Sequence, residues 1–174
     1  MPIIIDTNCL ANVFSAKSDR HEHFKPVKEW IISGKGLVVY GGTQYFEELK
    51  KNMKYAKILR LLKASGKAKV GDRTKIDELT KRNKAIFPEK DFDDPHLPAI
   101  AIVTKCLLIC SEDMRSVKYI KNRQLYPSGF SVPVYYSSEK NANLLCDKYV
   151  HADNKPLLKI NKAIQKKIYK NLKP

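Results

Sequence analysis

The chain has 174 residues, 43% of them hydrophobic, and its 33 Lys+Arg against 18 Asp+Glu give a formal net charge of +15. That length suits one domain able to bury about 70% of its unfolded surface without a disulfide or metal staple, and the apolar content excludes a disordered basic tail. The longest apolar runs, Ala99–Val103 and Leu107–Cys110, fall far short of the roughly 20 residues of a membrane span, and the first residues lack the basic start and long apolar core of a signal peptide.

In chain order, Ile3–Ile5 is a β-branched run ending at Asp6, the pattern of a buried parallel strand. Thr7–Ala16 and His21–Ile32 read as helices, the second with Pro26 near its start. Gly34 and Gly36 bracket a break, Leu37–Tyr40 reads as the second strand, and Gly41-Gly42 turns the chain. Thr43 is placed to cap a helix over Gln44–Asn52, and Tyr55–Ala64 continues as a basic amphipathic helix. Thr74 followed by Asp77 resembles a capping box opening a helix that stops before Pro88.

Asp93-Asp94-Pro95 leads into an apolar helix, Ala99–Thr104, starting at or just before Pro98, and then into the strand Leu107–Cys110. A helix over Met114–Asn122, a fourth strand over Val132–Tyr136 and helices over Glu139–Tyr149 and Pro156–Leu172 complete the chain. Pro133 assigns the fourth strand to a sheet edge. The alternation predicts an α/β fold: a three-layer sandwich around a central, mainly parallel sheet of four or five strands, with a basic C-terminal helix.

Cys9, Cys106, Cys110 and Cys146 show no paired zinc-ligand spacing and read as small core residues of a protein in a reducing cytoplasm. His21 and His23 lie two apart with no second ligand pair nearby, which suits a helix start or a solvated loop better than a metal site.

Ligands of open parallel sheets bind beyond the carboxyl ends of the strands. Asp6 ends the first strand, with Thr7 and Asn8 behind it; Ser111 and Asp113 follow the third. Glu48 lies in the helix after the second strand, and Asp94 precedes the helix before the third. Four carboxylates from separate segments can therefore meet at one sheet edge. Like charges so placed repel, and divalent cations with oxygen ligands, Mg²⁺ or Mn²⁺, resolve the repulsion. Each acid also has a plainer use: Asp6 as a helix cap, Asp94 in a turn, Asp113 at a helix dipole, Glu48 as a solvated side chain.

The order of these motifs resembles the PIN-domain ribonucleases, toxin-type members included. Ile3-Ile4-Ile5-Asp6-Thr7-Asn8-Cys9-Leu10 is similar to the family's opening, and Glu48-Leu49 to its second acidic position. Asp94-Pro95-His96-Leu97-Pro98-Ala99-Ile100-Ala101 resembles the third, and Leu107-Leu108-Ile109-Cys110-Ser111-Glu112-Asp113 the fourth. Glu47 and Asp93 compete with Glu48 and Asp94 for their places, and no acid follows Asp113 where some relatives carry one.

A basic amphipathic C-terminal helix over 151–174, read from the helix-like spacing of Leu157, Leu158, Ile160, Ile164 and Ile168, exceeds the family's pattern and is expected to pack on the same domain. The resemblance implies a PIN-like nuclease domain over residues 1–150. It implies a cytoplasmic, metal-dependent endoribonuclease in which Asp6, Glu48, Asp94 and Asp113 hold Mg²⁺ or Mn²⁺ and Thr7, Asn8 and Ser111 orient the carboxylates. RNA is the implied partner. An antitoxin-like protein inhibitor and a homo-oligomer are further ones, with no membrane span. The alternative is a catalytically inactive PIN-like RNA-binding or regulatory module. A phosphohydrolase of small substrates fits less well, for want of a phosphate-cradling glycine loop.

The charge excess is local. Residues 48–90 carry a net +9 and residues 155–174 a net +7, leaving the rest nearly neutral. Releasing counterions from phosphates on such segments favours nucleic acid. The cations chosen to hold an RNA backbone beside the acids are Lys50, Lys51, Lys54, Arg115 and Lys118.

Overall fold

Ile3, Ile4 and Ile5 are fully buried in β1 (Pro2–Ile5), the middle strand of the sheet. The structure, a computed structural model, describes residues 2–147, 150–155 and 157–172. Among these, β2 (Leu37–Tyr40), β3 (Ala68–Val70), β4 (Leu108–Cys110) and β5 (Val134–Tyr136) join β1 in the order β3-β2-β1-β4-β5. Every neighbouring pair is parallel, with Ile3 opposite Val38, Ile5 opposite Cys110, Tyr40 opposite Val70 and Cys110 opposite Tyr136. β5 lies at an edge, where its preceding Pro133 withholds no bond that the sheet needs.

The strand order makes the chain wind outward from β1 to β3, then return across β1 to β4 and β5. Right-handed crossovers put the connections of these two halves on opposite faces, giving three layers. α1 (Leu10–Phe14), α2 (His21–Ile32), α3 (Thr43–Lys50) and α4 (Met53–Ala64) belong to the first half; α5 (Arg73–Ile86), α6 (His96–Thr104) and α7 (Met114–Ile120) belong to the second. α6 is buried almost all round, as its uniformly apolar sequence demands, and packs on α5 and the central strands. Reversal of winding opens a crevice beyond the carboxyl ends of β1 and β4.

Several boundaries differ from the expectation. Thr7–Ala16 is not one helix: Asp6 caps a single 3-10 turn, Thr7–Cys9, before α1 starts. Thr43 is the first residue of α3 rather than its cap. Its amide instead donates to Asp77 Oδ1 at 2.7 Å, so Asp77 serves α3 while Asp72 caps α5. Gly42, at φ +82°, makes this approach possible, since a Cβ there would lie 2.4 Å from Ile76 Cγ2. Glu139–Leu144 forms a 3-10 turn rather than a helix, and its expected end at Tyr149 lies outside the described residues.

The last helix, α8, covers Lys162–Leu172; Pro156, its expected start, is likewise outside them. Asn161 sets the later start by accepting the Ile164 amide at 2.9 Å. The segment before α8 crosses the amino ends of the strands. Asn154 donates to the Thr104 carbonyl at 2.9 Å, and the buried Lys67 ammonium donates to the carbonyls of Gly34 and Leu158 at 3.1 and 3.0 Å. Burial lowers the Lys67 pKa to about 8. Beyond it, Ile168 is fully buried and Tyr169 donates to Glu29 of α2 at 2.7 Å.

Cys9, Cys106 and Cys110 are buried, and His21 is buried against the Asn12 carbonyl, as core and helix-start roles require. No helix among the described residues is long and apolar enough to cross a membrane.

Candidate metal centre

Asp6 extends β1 by one ladder bond, its amide donating to the Cys110 carbonyl at 2.9 Å. Its carboxylate is fully buried and accepts the Ser111 hydroxyl at 2.7 Å and the Asn8 amide at 3.2 Å. Burial pushes the Asp6 pKa up; the two hydrogen bonds oppose that rise, and the charges of Glu48 and Asp113 add to it. Asp6 thus caps the 3-10 turn and faces the crevice at once.

Glu48 sits in the second turn of α3 with both oxygens held. Thr7 donates to Oε2 at 2.7 Å and Gln44 to Oε1 at 3.1 Å, while Gln44 also donates to the Asp93 carbonyl at 2.8 Å. Helical spacing turns the neighbouring Glu47 away, into a groove on the other side of α3 that Lys50 also lines. Gln44 therefore ties α3 to the loop before α6.

Asp94 is buried in that loop, whereas Asp93 is exposed. Burial and the charges of Asp6, Asp93, Glu48 and Asp113 raise the Asp94 pKa to about 8. Asn83 of α5 anchors the loop by donating to the Pro95 carbonyl at 2.9 Å.

Asp113 caps α7, accepting the Arg115 amide at 2.9 Å. The Arg115 guanidinium grips both its oxygens, at 3.1 and 2.9 Å, and reaches Asp93 Oδ2 at 3.3 Å. That grip holds the Asp113 pKa below the ordinary carboxylate value. Ser116 donates to the other oxygen of Asp93 at 2.8 Å.

Two sets of donor atoms lie within 4.8 Å of one another: Glu48, Asp94 and His96, and Asp93, Asp94 and Asp113. Asp94 belongs to both and Asp6 to neither; Asp6 is joined to them by its field and through Ser111. This cluster can hold a metal ion. The oxygen-rich donor set fits a hard divalent cation, and so does a buried carboxyl whose charge its neighbours disfavour. An open cleft of about 590 Å³, lined by Thr7, Asn8, Gln44, Glu48, Lys51 and Asp94 among others, leads to it.

Of the proposed backbone-holding cations, Lys51 lines this cleft and Lys54 is exposed at the start of α4. Arg115 is engaged by the acids, and Lys118 lies 3.7 Å from Asp91 and over the Tyr119 ring. His96, inside the Asp94–Ala101 motif, and Gln44, at the start of the expected helix, carry no role in the sequence reading. The signal for His96 was its place two residues after Asp94, masked by the apolar run that follows. Comparison with known protein families, curated proteins and solved structures finds no match for the chain.

Proposed function

We propose that the chain is a divalent-metal-dependent endoribonuclease of the PIN type. The carrying observation is that Glu48, Asp94 and Asp113, far apart in sequence, gather with Asp6 at the crevice where the sheet reverses its winding. Bound Mg²⁺ or Mn²⁺ would polarise the scissile phosphodiester and lower the pKa of an attacking water.

The residues of the chain prepare that event. Asp94 joins both donor sets, Thr7 and Gln44 fix both oxygens of Glu48, and Ser111 fixes Asp6. Lys51 in the cleft, with Lys54 at the start of α4, neutralises the RNA backbone, whereas Lys50, with Arg60, Lys63 and Arg73, lines the groove on the other side of α3. The proposal carries with it a cytoplasmic site of action, restraint by an antitoxin-like protein inhibitor, and a homo-oligomer.

One observation favours a second reading. Arg115 neutralises Asp113 and Asp93, as a module that binds RNA without cleaving it would tolerate. Incubating the purified chain with single-stranded RNA separates the two. A nuclease cleaves with Mn²⁺ or Mg²⁺, stops in chelator and is inactive as Asp94→Asn. Salt-sensitive RNA binding without cleavage supports the second reading, and equal degradation by wild type and variant overturns the nuclease proposal.

A further inference from the structure

His96 opens α6 with its imidazole fully buried, and neither ring nitrogen has a hydrogen-bond partner. Buried polar atoms are rarely left so, and an orphaned one calls for a missing ion or water. The other histidines are provided for: His21 by the Asn12 carbonyl and Lys28, His23 by Glu139, His151 by Asp153. His96 alone of the four faces the acids of the crevice. Its Nε2 lies 3.8 Å from Glu48 Oε2, too far for a hydrogen bond. It is close to the roughly 3–3.5 Å that separates adjoining donors on one small ion, given metal–ligand distances of about 2.0–2.2 Å. Asp94 completes this set, with a donor oxygen within 4.8 Å of the other two donors.

The ring is also held in place. Tyr45 meets it edge to face at 6.1 Å between centroids, and Tyr45 is itself fixed by donating to the Ile5 carbonyl at 2.8 Å. A side chain fixed in this way, with an unpartnered ring nitrogen within 4.8 Å of oxygens of two carboxylates, is placed for a ligand between them.

We infer that His96 Nε2 is a nitrogen ligand of the ion held by Glu48 and Asp94, so that this centre takes Mn²⁺ ahead of Mg²⁺. Mg²⁺ demands oxygen donors and keeps its waters, whereas imidazole suits first-row transition ions. The inference rests on the metal-dependent reading above and specifies the ion that the site selects. It does not require that the bound ion cleave RNA.

Pulsed electron paramagnetic resonance on the wild-type full chain with Mn²⁺ alone tests it without a variant. Nitrogen modulation from the bound Mn²⁺ that changes on labelling the histidines with ¹⁵N supports the inference. His96→Gln should abolish that modulation and weaken Mn²⁺ binding by roughly tenfold or more, the size of effect that even supporting residues have on metal affinity. Its calorimetric affinity for Mg²⁺ should change much less, and a thermal melt without metal shows that the variant folds. Bound Mn²⁺ with no nitrogen modulation overturns the ligand assignment and leaves the nuclease proposal standing. Binding of Mg²⁺ without Mn²⁺ overturns this inference alone, and failure to bind either ion overturns both.

Discussion

The Ser111 hydroxyl donates to Asp6 Oδ2 at 2.7 Å, fastening together the carboxyl ends of β1 and β4 across 105 positions of sequence. Both residues are buried, so the carboxylate has little water to replace a lost donor. Ser111→Ala is expected to cost about 1.5–3 kcal/mol, as hydrogen bonds to charged groups do, and to push the Asp6 pKa higher still. Urea unfolding at neutral pH measures this, and an unchanged midpoint would show that the bond is not formed in solution.

Asp94 gives the metal-free protein a distinctive pH dependence. Its carboxyl titrates near pH 8 when folded, against an ordinary value of 3.8. The folded state keeps a proton there that the unfolded chain releases, so this group's contribution to stability is full below about pH 4 and declines as pH rises toward 8. Asp94→Asn removes this decline. At pH 8 without metal the variant should melt higher than wild type by at least about 2–4 °C, the shift that about 1 kcal/mol makes in a chain of this size. Added Mn²⁺ should raise wild type and leave the variant nearly unmoved; a variant that melts below wild type in chelator at pH 8 refutes the argument.

Arg115 occupies Asp113 and Asp93 from an exposed position, and replacing it has two readable effects. Arg115→Ala should tighten Mn²⁺ binding, because Asp113 then loses its competing cation. If Arg115 also contacts RNA, the slope of log affinity against log salt becomes shallower by about 0.7, the contribution of one phosphate contact on a single strand. Calorimetry and RNA titration at several salt concentrations report the two independently. An unchanged slope limits Arg115 to the acids.

The C-terminal helix should unfold with the rest of the chain. Ile168→Ala is expected to cost about 2–5 kcal/mol, as deletion of a buried aliphatic side chain does. Tyr169→Phe, which removes the bond to Glu29, should cost about 1 kcal/mol. A single cooperative transition shifted by both changes is the expected result; loss of helical signal in a separate, earlier step would contradict it.

Local chemistry made much of the framework legible. The runs Ile3–Ile5 and Leu37–Tyr40 lie in or coincide with β1 and β2, and α2 covers His21–Ile32 as its pattern reads. β3 was not legible, because Ala68-Lys69-Val70 is a three-residue edge strand with an exposed lysine, lacking the apolar run that marks a buried one. The caps of α3 and α5 differ from expectation because Asp77 accepts from Thr43 across space, and its contact along α5 is an ion pair with Arg73 at 3.8 Å rather than a cap. The acids at strand ends could be picked out by position. His96 could not, since its meaning lies in the absence of a partner, which only packing reveals.

Asn154, Lys67 and Tyr169 tie the tail to the amino-terminal pole of the sheet, while the acids gather at the carboxyl-terminal pole. The molecule therefore offers a handle opposite its working end. A fluorophore or surface tether attached at the exposed Lys159, beside the bond from Lys67 to Leu158, would sit on the far side and leave the cleft free for single-molecule tests of the proposed RNA binding.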